Sequence, residues 1–159
     1  MRTPKIYLES TLFNFYVDED RGFAHESTVK LFNEIAAGKY TAYTSAVVIE
    51  ELAKASAKKY EIMSGLIPQY KITILALNDE ADRLADIYVA EKIIPVKYRT
   101  DGLHIAIAAV NDLDMIISMN FQHIVKRNTK LMTGNINTLN GYRAVEIFNP
   151  MEVIENEND

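Results

Sequence analysis

Short apolar runs rich in β-branched residues alternate along the chain with longer stretches whose apolar positions recur at helical spacing. Lys5 to Glu9 predicts a strand, and Thr11 to Tyr16 begins a helix packed through Leu12, Phe13 and Phe15. Val29, Phe32, Ile35 and Ala36 place an amphipathic helix over 24–37, with Gly38 as its stop. Tyr40 to Tyr43 is a second strand, after which Thr44 and Ser45 stand as caps for a helix carrying Val47, Val48, Leu52 and Ala55 on one face. Lys58 to Leu66 predicts a further helix, ended before Pro68, and Ile72 to Leu77 a third strand.

Asn78 caps the next helix, whose first turn holds Asp79, Glu80 and Asp82 at the positive end of the helix dipole, and Leu84, Ile87 and Tyr88 continue it. Beyond a loop at Pro95, Asp101 opens a helix from Leu103 to Val110 that is apolar almost all round and is therefore expected to be buried. Met115 to Met119 predicts a fourth strand, with Asn120 directly after it. A helix over 130–139 stops at Gly141, and Val145 to Phe148 forms a last strand. Asn149 and Glu152 then stand at capping-box spacing around Pro150. Strands alternating with helices, and no two-residue hairpin, predict an α/β domain with a mainly parallel sheet covered on both faces.

Composition narrows the function classes. At 159 residues, with 48% hydrophobic and 25% charged, the chain fits one domain over 1–154, followed by an acidic, poorly ordered tail over 155–159. The absence of cysteine excludes disulfides, thiolate zinc sites and thiol nucleophiles, and makes the cytoplasm the expected compartment. No signal peptide is read at the start, and the longest apolar run, Leu103 to Val110, is far short of the roughly 20 residues that span a bilayer. A net charge of −5 argues against a general nucleic-acid coat but not against a nuclease, whose metal site concentrates carboxylates.

The candidate chemistry lies in Glu9, Glu51, Asp101 and Asn120, each at an inferred strand end or on a neighbouring helix. In open parallel sheets, sites form beyond the carboxyl ends of the strands where strand order reverses. Carboxylates gathered there repel one another unless a divalent cation neutralises them, and a hard ion such as Mg²⁺ prefers oxygen donors of this kind. Mn²⁺ should substitute. Each residue also has a plainer role: Asp101 as a helix cap, Glu51 beside Glu50 on a solvent face, Asn120 as a turn residue. The stripe shared with Val47, Val48 and Ala55 turns Glu51 inward. His104 and His123 follow Asp101 and Asn120 by three residues each, a spacing that suits structural hydrogen bonds or contacts behind the site. His25 reads as a surface residue, and a zinc site is disfavoured.

Four phrases resemble, in order, the motifs of PIN-domain proteins, in particular VapC-type toxins. They are Ile6-Tyr7-Leu8-Glu9-Ser10-Thr11, Thr44-Ser45-Ala46-Val47-Val48-Ile49-Glu50-Glu51-Leu52, Asp101-Gly102-Leu103-His104-Ile105-Ala106 and Ser118-Met119-Asn120-Phe121-Gln122-His123-Ile124. Glu9 stands where the family usually has aspartate, Asn120 stands at its commonly acidic fourth position, and Gly102 replaces its usual alanine. The resemblance implies a three-layer α/β/α PIN-like domain, Mg²⁺-dependent or Mn²⁺-dependent endoribonuclease activity, a homodimer, and a cognate antitoxin that covers the site. It implies that Glu9, Glu51 and Asp101 hold one or two metal ions for RNA hydrolysis, with Asn120 as a weaker ligand or water-orienting group. Ser10 and Thr11 would support the first carboxylate or touch phosphate, and Lys97, Arg99, Lys126, Arg127 and Lys130 would guide RNA. A PIN-like module without useful catalysis is the competing expectation; a phosphoacceptor receiver lacks its early acidic pair.

Overall fold

The computed structural model describes residues 2–155, so the tail expected over 155–159 lies outside the described residues except for Glu155. Five parallel strands form one sheet in the order β3-β2-β1-β4-β5: β1 (Lys5–Leu8), β2 (Thr41–Ser45), β3 (Thr73–Leu75), β4 (Met115–Ile117) and β5 (Glu146–Phe148). Ile6, Tyr7 and Leu8 of the central strand are wholly buried, as an apolar strand covered on both faces should be. On one face lie α1 (Ser10–Val17), α2 (Phe23–Ala36), α3 (Ala46–Leu52), α4 (Ala57–Gln69) and the short α8 (Pro150–Val153), packed among themselves. On the other lie α5 (Asp79–Ala90), α6 (Arg99–Val110) and α7 (Arg127–Leu139), with α5 bridging the other two. The result is the three-layer α/β/α arrangement expected.

Right-handed crossovers explain the order. From β1 the chain moves outward through β2 to β3, then returns across the opposite face to place β4 on the free side of β1. Strand order therefore reverses between β1 and β4, and a crevice opens beyond their carboxyl ends. Gly38 and Gly141 end their helices with φ of 85° and 86°, in the left-handed region that a stop of this kind requires. Asn149 and Glu152 form the full capping box around Pro150.

Several boundaries differ from expectation. Thr44 and Ser45 belong to β2; only Ser45 caps α3, accepting from the Val48 N–H, while the Thr44 hydroxyl donates to the Leu8 carbonyl and ties β2 to β1. The α3 helix ends at Leu52, which leaves Ala55 beyond it. Pro68 sits inside the last turn of α4. The proline forfeits its own N–H bond and crowds the preceding turn, but the helix end closes beyond it, Tyr70 and Ile72 donating to Leu66 and Ile67. β3 is shorter than its apolar run because it is an edge strand, with Ile74 half exposed. β4 stops at Ile117 rather than Met119, so Asn120 lies in the turn after it. Single 3-10 turns at Glu19–Arg21 and Val96–Tyr98 were not expected, and the second starts the α6 region early.

Candidate metal centre

Glu9 follows β1 and is the N-cap residue of α1, but its side chain makes no capping bond. It turns into the crevice, where only 2% of the residue remains exposed. Burying a carboxylate is costly unless hydrogen bonds satisfy it. Here Ser10 Oγ donates to Oε2 at 2.8 Å, Thr11 Oγ1 to Oε1 at 2.5 Å and Ser118 Oγ to Oε1 at 2.6 Å. Ser118 and Thr11 also accept the Asn120 and Met119 N–H groups, so the loop after β4 and the start of α1 share one polar network. Ser10 and Thr11, two of the candidate residues, thus hydrogen-bond the first carboxylate, and Ser118 is a third donor; a polar residue following apolar Met115 to Ile117 was its only local signal.

Glu51 occupies the last full turn of α3, half-buried, with Oε1 at 2.5 Å from His104 Nε2. His104 is wholly buried on α6 and its Nδ1 lies 2.6 Å from the Tyr7 hydroxyl, which is 2.7 Å from Ser45 Oγ. Burial opposes a charge on His104, but the Glu51 hydrogen bond and the negative charges of Glu51, Glu9 and Asp101 outweigh it and raise its pKa. Burial first, opposed by the Ser45 hydrogen bond and reinforced by the charges of Glu9 and Glu51, pushes the Tyr7 phenol well upward and keeps it neutral. A tyrosine within an apolar strand gave no sign of this role in the sequence.

Glu9, Glu51 and His104 each place one donor atom so that all three lie within 4.8 Å of one another. That set differs from the expected four. Asp101 is the third residue of α6 and does not cap it, since the helix starts at Arg99. Burial first raises the Asp101 pKa; the charges of Glu9 and Glu51 add to the rise, while those of His104 and His123 oppose it. Asp101 therefore shares the electrostatic field of the cluster, but it and Asn120 line an adjoining open cavity of about 530 Å³ with Thr11, Tyr98, Met119, Phe121, Gln122 and His123. Asn120 serves its turn: Oδ1 accepts the His123 N–H at 3.1 Å. His123 stacks on Tyr98, ring centroids 3.9 Å apart.

The basic residues divide. Arg99 is turned onto α5, where Nε donates to Asp86 at 2.8 Å and Nη2 to Asp82 at 3.0 Å, which commits it to bracing two helices rather than to a ligand. Lys97 places its Nζ 5.6 Å from the ring centroid of Tyr98, a residue that lines the cavity. Arg127 and Lys130 line a separate groove of about 460 Å³ with Leu131.

The donor set suits a hard cation. A carboxylate has about four lone-pair directions, and the three hydroxyls on Glu9 leave one free, on Oε2. Among the described residues, the second Glu51 oxygen and both Asp101 oxygens accept no hydrogen bond. His104 Nε2 faces a carboxylate at 2.5 Å and so carries a proton, which makes it a donor to Glu51 rather than a ligand. What remains for an ion is oxygen.

Among solved structures, the chain is similar to one in the crystal structure of VapBC2 from Rickettsia felis bound to a DNA fragment from their promoter. The TM-score is 0.58 over 91% of this chain and 98% of that one, at 14% sequence identity. No family model and no curated protein matches the chain. At that identity the similarity is one of fold, and the fold is PIN-like. No helix among the described residues is long and apolar enough to cross a membrane.

Proposed function

We propose that residues 1–154 form a metal-dependent endoribonuclease domain, the cytoplasmic toxin of a toxin–antitoxin pair, active as a homodimer and inhibited by an antitoxin that covers the crevice. The observation that carries the reading is the convergence of Glu9 and Glu51, from segments far apart in sequence, at the strand-order reversal beside Asp101. The shared fold with a toxin–antitoxin complex supports the partner assignment.

Glu9, Glu51 and Asp101 would hold Mg²⁺ or Mn²⁺, with Asn120 contributing at most through its remaining lone pair. Bound there, the ion supplies charge neutralisation for a phosphodiester and a water acidic enough to attack it. The protein's own groups do the rest. Ser10, Thr11 and Ser118 aim Glu9, the aromatic rim of Tyr98 and Phe121 borders the cavity, and Lys97 offers a cation to phosphate where the carboxylates would otherwise repel it.

Purified protein should cleave single-stranded RNA only with Mg²⁺ or Mn²⁺, and Asp101→Asn should abolish the cleavage. Glu51→Gln should be nearly as inactive, whereas Asn120→Ala should keep more activity because its oxygen already serves the turn. Equal traces of cleavage from wild type and Asp101→Asn would defeat the catalytic reading. They would favour a PIN-fold binding module, a second reading to which the nearly saturated Glu9 and the neutral Asn120 lend weight.

A further inference from the structure

We propose that Ser45, Tyr7 and His104 are positioning residues that fix the Glu51 carboxylate before a metal ion arrives, a role that rests on the metal-dependent reading above. The structural basis is a hydrogen-bonded circuit that leaves one helix and returns to it. The Val48 N–H donates to Ser45 Oγ at 3.3 Å, Ser45 Oγ meets the Tyr7 hydroxyl at 2.7 Å, Tyr7 meets His104 Nδ1 at 2.6 Å, and His104 Nε2 meets Glu51 Oε1 at 2.5 Å. Val48 and Glu51 both belong to α3, so the path runs from its first turn through β2, β1 and α6 to its last turn.

The chemistry of the groups sets the direction of the circuit. A nitrogen facing a carboxylate must present a proton, so Nε2–H donates to Glu51 whatever the ring's charge. With a neutral ring, Tyr7 donates to Nδ1 and accepts from Ser45, which in turn accepts from Val48, so that Ser45, Tyr7 and His104 each donate once and accept once; with a charged ring Nδ1–H donates to Tyr7 and Tyr7 to Ser45, and the Nε2–H bond to Glu51 is the same. Ser45, Tyr7 and His104 are each 0% exposed, so water cannot offer any of them an alternative partner. Glu51 needs such a restraint. It is the next-to-last residue of a seven-residue helix, its side chain is 27% exposed, and among the described residues that side chain has no other hydrogen-bond partner. The circuit leaves Oε2 free and aims it, while tying β1, which Glu9 follows, to the helix that carries Glu51. Partners of this kind behind a ligand commonly govern metal affinity.

The test is Mn²⁺ binding to the full chain by calorimetry, with thermal unfolding to verify the fold. His104→Leu should weaken Mn²⁺ binding about 10–100-fold. His104→Gln, whose amide nitrogen lies close to the place of Nε2 and can donate to Glu51, should recover most of that loss, and Tyr7→Phe should fall between. In proton NMR of the metal-free protein, the ring Nε2–H should appear as a slowly exchanging low-field signal that moves in Tyr7→Phe and Glu51→Gln. Folded His104→Leu with wild-type affinity would overturn the proposal; if that variant does not fold, wild-type affinity in Tyr7→Phe would do so. His104→Gln as weak as His104→Leu would overturn it in favour of direct ligation by the ring. These outcomes leave the metal-dependent reading standing, whereas a wild-type protein that binds no Mn²⁺ would remove both.

Discussion

Replacing Ser118 by alanine deletes one buried oxygen and tests whether hydroxyl groups hold Glu9 in the crevice. The residue is fully buried, donates to Glu9 Oε1 at 2.6 Å and accepts the Asn120 N–H at 2.9 Å. A hydrogen bond to a charged group contributes about 1.5–3 kcal/mol, and the half-buried Asn120 N–H left without its acceptor costs at the low end of the about 1–3 kcal/mol of a fully buried donor. The lost oxygen is too small to open a packing cavity, and Glu9 keeps Ser10 and Thr11, so the two losses should not add in full. A destabilisation of about 2–4 kcal/mol is expected, a large share of the ~5–15 kcal/mol typical of a domain. For a chain of this size it corresponds to a fall in Tm of roughly 5–15 °C. Urea and thermal unfolding followed by circular dichroism in EDTA give the value, since a bound cation would mask it by mass action. Stability within about 0.5 kcal/mol of wild type, the range of an ordinary surface substitution, would refute the claim that Ser118 anchors Glu9.

Asp114 predicts an acid-side loss of stability. Burial alone would raise its pKa, but the Lys5 N–H at 2.7 Å and the guanidinium groups of Arg2 and Arg143 outweigh that and lower it. A folded value below the unfolded one, about 3.9, gives stability that is complete above that pH and is lost as pH falls through the folded value. Asp114→Asn should therefore be less stable at neutral pH and show a flatter decline below about pH 4; curves that stay parallel to wild type down to acid would count against the assignment. Gly102→Ala should gain about 1 kcal/mol of helix propensity, yet its Cβ would lie 3.0 Å from Ile94 Cδ1 and 3.3 Å from the edge of Tyr88, which is itself held by Asn137. Overpacking of this kind costs about 1–3 kcal/mol, so unfolding experiments should find the variant neutral to about 2 kcal/mol less stable, and a clear gain would show that Ile94 moves aside freely.

What the sequence made legible follows from the range of the interactions involved. Helices whose apolar stripes and caps are local, such as α5 behind Asn78 and α8 behind Asn149, lie where the pattern puts them. Boundaries moved where a distant partner decided: Thr44 looks like a cap until its hydroxyl is seen to reach the Leu8 carbonyl, which makes it part of β2. The same division runs through the site. Glu9, Glu51 and Asp101 could be singled out because an acid at a strand end or on an inward stripe conflicts with its apolar surroundings. Ser118, Tyr7 and Ser45 cause no such conflict; a serine or tyrosine fits a strand or its end without comment, and only the meeting of segments 38 to 109 residues apart gives each its task. Arg99 shows the converse, since this cation near the site in sequence pairs with Asp82 and Asp86 of a neighbouring helix, which no local pattern announced. Acids gathered in one place are unfavourable without an ion and so stand out, whereas a neutral group that aims them is favourable in any fold and is legible only when, like Ser10 and Thr11, it adjoins the acid in sequence.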